Sequence, residues 1–141
     1  MRFDLFIDDT NVRACYTGKT ARIYREQFGK DILEDLSESS IRFYELYGQI
    51  AKEDLLDLTD KHIFASLCVK AVGAEQLEKL TWASIFSEGS TDLLFDQWRD
   101  SIENYQIFLL SAVLCFQCMI GNLSIVQPTD NEETEEEKKR T

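Results

Sequence analysis

A chain of 141 residues has the length of one domain with a substantial core, and 44% hydrophobic residues, including two Trp, five Tyr and nine Phe, argue for a folded globule over a disordered chain. Twenty-six acidic against fifteen basic residues leave a net charge of −11, which excludes nucleic-acid binding built on clustered Lys and Arg. The opening Met1-Arg2-Phe3-Asp4-Leu5-Phe6-Ile7-Asp8-Asp9 is too short in its apolar part for a secretory signal.

In chain order, Phe3, Leu5 and Ile7 alternate with Arg2, Asp4, Phe6 and Asp8. Asp8-Asp9-Thr10-Asn11 is turn chemistry, and Val12–Tyr16 resumes the alternation, so residues 2–16 are expected to form a β-hairpin. Thr17 is placed to cap a helix running to Phe28, with Gly29 as its stop and Ala21, Tyr24 and Phe28 facing inward. Ser37–Lys52 carries Phe43, Tyr47 and Ile50 at helical spacing, followed by a Leu55-Leu56-Asp57-Leu58 junction. Thr59 or Asp60 can cap a helix over His62–Val72 that ends at Gly73. Glu75–Phe86 follows as a helix, then a loop over Ser87–Asp92, then helices over Leu93–Asn104 and Gln106–Asn122 that read as nearly continuous. The fold class expected is α+β, mainly α: an N-terminal hairpin followed by a bundle of about five to six helices in a single domain over residues 1–124. Residues 125–141, with Pro128 and the Asp130–Glu137 acid run, read as a disordered acidic tail.

The most informative stretch is Ile107–Ile120, which is apolar nearly all round. It is shorter than the roughly 17–25 residues a membrane span requires, and Glu103, Asn104, Gln106 and Asn122 close it off. It must therefore be covered by protein. On a helix, Tyr105, Phe108, Leu109, Ala112, Phe116, Met119 and Leu123 make a broad stripe wide enough for a core face. Ile107, Leu110, Leu114 and Cys118 make a narrower second stripe, a candidate partner-binding surface. Trp82, Phe95 and Trp98, within an aromatic cluster that also contains Phe86 and Tyr105, are the other candidates for partner binding, since Trp and Tyr often anchor interfaces; core packing is the competing reading.

Chemistry finds little footing. Tyr16-Thr17-Gly18-Lys19-Thr20 has the setting of a phosphate loop, but that loop needs a glycine where Arg13 stands, so a helix start explains it better. Cys115-x-x-Cys118 has zinc or redox spacing without a second pair, and Cys15, Cys68 and His62 would have to converge from distant elements. The four cysteines read as reduced, buried thiols. His62 is the single histidine, in an ordinary helix start. Asp8-Asp9 and Asp31/Glu34/Asp35 match no calcium loop. No catalytic residue, metal ligand or cofactor site is expected, and the chain is read as not an enzyme.

The order of features resembles a family. A short hairpin leads through a threonine into a helix ending Gln27-Phe28-Gly29-Lys30-Asp31-Ile32-Leu33-Glu34-Asp35-Leu36. Leu77-Glu78-Lys79-Leu80-Thr81-Trp82-Ala83, Phe95-Asp96-Gln97-Trp98, a final helix and a charged tail ending Lys138-Lys139-Arg140 complete the likeness. These features resemble the tail assembly chaperones of long-tailed bacteriophages, of the type found in phages of Gram-positive hosts. The resemblance covers residues 3–36 and 77–141 and leaves 37–76 without a counterpart.

The resemblance implies a non-enzymatic protein of the bacterial host cytoplasm that is not part of the mature virion. Its partners would be the tape measure protein, which it keeps soluble during tail-tube assembly, and the tail-tube protein. It would form a homo-oligomer and bind neither nucleic acid nor membrane. Families of this kind are commonly encoded with a programmed frameshift, which an A-rich stretch at the Lys138-Lys139 codons would accommodate. The alternative is an acidic phage-encoded inhibitor or DNA mimic acting on a host nucleic-acid-binding protein, which would account for the −11 directly.

Overall fold

The computed structural model describes residues 1–53 and 61–125. The architecture is α+β and mainly α: strands β1 (Arg2–Ile7) and β2 (Thr10–Cys15) form an antiparallel hairpin, and helices α1 (Gly18–Phe28), α2 (Ile32–Glu53), α3 (Lys61–Val72), α4 (Ala74–Glu88), α5 (Phe95–Asp100) and α6 (Tyr105–Ile125) follow. The hairpin pairs Ile7 with Thr10 across a two-residue turn in which Asp8 and Asp9 both take positive φ, at 50° and 62°. That backbone matches the right-handed twist of the strands, and Asp tolerates it better than most residues. Leu5, Ile7 and Ala14 turn into the core, with Phe3 and Val12 half-buried beside them.

Thr17 and Thr20 start α1 through a capping box. The Lys19 N–H donates to Thr17 Oγ1 at 3.2 Å, and the Thr17 N–H to Thr20 Oγ1 at 3.0 Å. Gly29 closes the helix at φ 68°, a left-handed position that favours glycine. The inward face of α1 is Thr20, Ile23 and Tyr24, with Ala21 and Phe28 half-buried at its margin.

Helix α2 begins at Ile32, five residues before the Ser37 start expected from periodicity. Asp31 supplies the missing start signal: its carboxylate accepts the Leu33 N–H at 3.0 Å and its carbonyl accepts the Asp35 N–H at 3.1 Å. Ile32 and Leu36 are then buried on the first turn, and Glu34 and Asp35 sit where the helix dipole favours acids. The Leu55–Leu58 junction, the Thr59 or Asp60 cap and the tail beyond Ile125 lie outside the described residues.

Helix α4 is the centre of the fold. It packs against β2, α1, α3, α5 and α6 and buries Leu77, Glu78, Leu80, Thr81, Trp82, Ala83, Ser84, Ile85 and Ser87. It runs two residues past Phe86, so Ser87 is a core residue and not part of the loop. Its buried hydroxyls are satisfied locally, Thr81 donating to the Leu77 carbonyl at 2.7 Å and Ser84 to that of Thr81 at 2.9 Å.

The penultimate helix is much shorter than the expected Leu93–Asn104, and it is not continuous with α6. Leu93 lies outside it, and its carbonyl accepts the Trp82 indole N–H at 3.0 Å. Beyond Asp100 the chain bends, and the N–H groups of Glu103 and Asn104 are taken by the Asp8 carboxylate, each at 3.0 Å. The hairpin tip thus ties down the approach to α6, whose first turn is capped by Asn104. Among the described residues, no helix is long and apolar enough to cross a membrane.

Candidate functional site

Helix α6 carries Tyr-Gln-Ile-Phe-Leu-Leu-Ser-Ala-Val-Leu-Cys-Phe-Gln-Cys-Met-Ile-Gly-Asn-Leu-Ser-Ile, 21 residues without a single charge. Its inner side is broader than periodicity alone predicts. Phe108, Ala112, Phe116 and Met119 are fully buried as expected, and Val113, Cys115 and Ile120 join them. Ser111, expected on a polar dividing line, is also buried, because its hydroxyl donates to the Phe6 carbonyl on β1. Leu109 is half-buried, Tyr105 is 38% exposed, and Leu123 lies outside the described side chains.

The second stripe faces outward. Ile107 is 48% exposed and Leu114 46%, while Leu110 and Cys118 between and beyond them are half-buried. Beside this stripe, α3 and α6 leave a shallow groove lined by His62, Ala65, Ser66, Val69, Gln106, Ile107, Leu109 and Leu110. The small side chains Ala65 and Ser66 keep it open. A second hollow, between α2, α3 and α6, is lined by Phe43, Tyr44, Tyr47, Phe64 and Phe116, with Cys68 and Gly121. Of its aromatic lining on α2 and α3, the sequence marked Phe43 and Tyr47 only as a helix face, and Tyr44 and Phe64 not at all. The i, i+4 spacing of Phe43 and Tyr47 marks a helix face, but nothing local shows that Phe64 packs edge-on to Phe43 at 5.2 Å.

Trp82, Phe95 and Trp98 have a different place. They are 1%, 4% and 6% exposed. Trp82 packs edge-on to Phe28 at 5.8 Å and Phe95 at 6.1 Å, while Trp98 packs on Phe108 at 5.5 Å. In this conformation they are core residues with no surface to offer a partner. The exposed stripe of α6 and the buried aromatics are separate features.

The cysteines and buried acids are structural in their surroundings. Burial pushes the Cys115 thiol up to about 12, with the Ser84 hydroxyl at 3.3 Å pulling slightly the other way, and burial raises Cys118 as well. Thiols held protonated are poor nucleophiles and metal ligands. Cys15 is buried beside Ser87 and Thr20, and burial pushes Cys68 up to about 12. Among the described residues, no three His, Cys, Asp or Glu side chains converge to hold a metal ion. Glu78 is buried on α4 and accepts the Tyr105 hydroxyl, and burial followed by this carboxylate pushes Tyr105 up to about 12. Tyr24 links three helices, donating to Asp35 at 2.6 Å and accepting from Gln76 at 2.6 Å.

The arrangement offers an uncharged apolar ridge on α6 with an adjoining groove against α3. No family model, curated protein or solved structure matches this chain.

Proposed function

We propose that this protein is a tail assembly chaperone of a long-tailed bacteriophage, which binds the tape measure protein without enzymatic chemistry and keeps it soluble while the tail tube assembles. The observation that carries the reading is the outward stripe of α6 with the groove against α3, an apolar surface of the kind an amphipathic helix enters. The sequence resemblance supplies the client, a long helical protein whose own apolar faces need cover. The net charge of −11 fits the same role, because like charge keeps loaded complexes apart.

Co-expression with a tape measure protein of a long-tailed bacteriophage tests the proposal. The expected result is a soluble complex of the two, with the client precipitating when expressed alone. A client equally insoluble with and without the chain overturns it.

A further inference from the structure

We propose that the acid run of this chain, residues 130–137, docks on the exposed basic face of its own helix α1, formed by Lys19, Arg22 and Arg25 with Lys30 just beyond the helix. This contact concerns the chain on its own and does not depend on the identity of any client.

The basic face stands out in an acidic molecule. From Gly18 to Lys30 the chain carries four cations and one acid, Glu26, whereas the rest of it carries more than two acids for every cation. Lys19, Arg22 and Arg25 recur at every third position and share an arc of about 120° at about 100° per residue. All three are exposed, as is Lys30. Glu26 lies within that arc and pairs with Arg22 at 3.2 Å, and the Asp31 carboxylate beside Lys30 accepts the Leu33 N–H. Lys19, Arg25 and Lys30 have no ion-pair partner among the described residues. Elsewhere Arg2, Arg13, Lys79 and Arg99 are paired with Glu88, Asp4, Glu75 and Asp96. Arg42 is held by the Ala71 carbonyl, and Lys70 is a single charge in the last turn of α3. The first turn of α1 holds no acid, so the positive end of the helix dipole adds to the face.

Charge and position select the occupant. Residues 130–137 hold six carboxylates, at Asp130, Glu132, Glu133, Glu135, Glu136 and Glu137, with no cation among them. Helix α6 runs along α4 in the same direction, Tyr105 meeting Glu78 and Cys115 meeting Ser84. Thr20, in the first turn of α1, meets Ser87 in the last turn of α4 at 2.8 Å. The end of α6 and the start of α1 therefore lie toward the same end of α4. The acid run begins five residues beyond Ile125 and ends twelve beyond it. Twelve extended residues reach up to about 40 Å, against a radius of gyration of about 14 Å for a domain of this length. The tether also gives the run an effective concentration at α1 that a free acidic segment has to exceed to displace it. Single exposed ion pairs contribute little, so docking engages several carboxylates at once and weakens with salt. Docked there, the run shields α1 from other acidic proteins.

The test uses the purified full chain and a carbodiimide, which joins a carboxylate to a lysine amine in direct contact. At about 10 mM salt, where the Debye length is about 30 Å, intrachain crosslinks from residues 130–137 to Lys19 or Lys30 are expected. They should be lost at about 1 M salt, where that length is about 3 Å. Arg22→Gln with Arg25→Gln should deplete them at low salt, while crosslinks to the adjacent Lys138 and Lys139 persist throughout. In amide NMR spectra at low salt, Glu135→Gln with Glu136→Gln and Glu137→Gln should shift signals of residues 18–30. Absence of crosslinks to Lys19 and Lys30, equally abundant crosslinks to Lys70, or crosslinks that join two chains only would each overturn the proposal. So would crosslinks that survive high salt, or amide shifts that leave residues 18–30 unmoved. The spectra decide the matter even if the Arg22 and Arg25 variant fails to fold.

Discussion

At the hairpin tip, the Asp8 backbone makes the tight turn and its carboxylate accepts two N–H groups just before α6. Those bonds, from Glu103 first and then Asn104, hold the Asp8 carboxyl below its ordinary value of 3.8. A lowered pKa in the folded chain adds stability that is present above the unfolded value and is lost as pH falls through the folded one. Stability should therefore fall as pH drops below about 4, and Asp8→Asn should flatten that part of the curve in urea titrations at several pH values; an unchanged slope would show that the tether is not maintained in solution. Tyr105 poses the opposite case, a donor to a buried acid. Tyr105→Phe leaves Glu78 without that donor and should cost about 1–3 kcal/mol in chemical denaturation. The turn at Asp8 was legible from sequence, since Asp-Asp between alternating strands is a local pattern. The partners of its carboxylate, Glu103 and Asn104, 95 and 96 residues away, were not.

At the scale of elements, α6 and α5 carry the contrast between an apolar residue that is covered and one that is not. Trp98 is fixed edge-on to Phe108 in the core, and Leu114 is turned outward. Trp98→Ala should cost about 3–5 kcal/mol, whereas Leu114→Ala should stay within about 0.5 kcal/mol in the monomer; thermal melts at low protein concentration distinguish them. Comparable losses at both positions would mean that Leu114 is buried within its own chain. The helical wheel set Phe108, Ala112, Phe116 and Met119 on the inner side and Ile107 and Leu114 away from them, because periodicity needs only neighbours on the same helix; it left out Val113, Cys115 and Ile120, which are also buried, and put the exposed Tyr105 on the inner side. It did not foresee Ser111 in the core, whose burial depends on the Phe6 carbonyl of β1. Helix α2 began early for a similar reason: Asp31 as a cap is a local signal, but Ile32 and Leu36 earn their place on the first turn only once other elements cover them.

Across the whole molecule, a net charge of −11 and an uncharged ridge make opposite demands on association. Salt screens the repulsion between copies, with a Debye length near 8 Å at about 0.15 M, and leaves apolar contact in place. The sequence by itself determined the hairpin, the capped start of α1, the mainly helical fold and the two-sided apolar character of Ile107–Ile120. All of these rest on patterns within a few residues. Only the tertiary structure decided that Trp82, Phe95 and Trp98 are core, that α5 ends short, and that the Ile107/Leu114 edge of the narrow stripe stays uncovered. Periodicity says which side of a helix is apolar; whether that side is covered depends on elements brought together from distant parts of the chain.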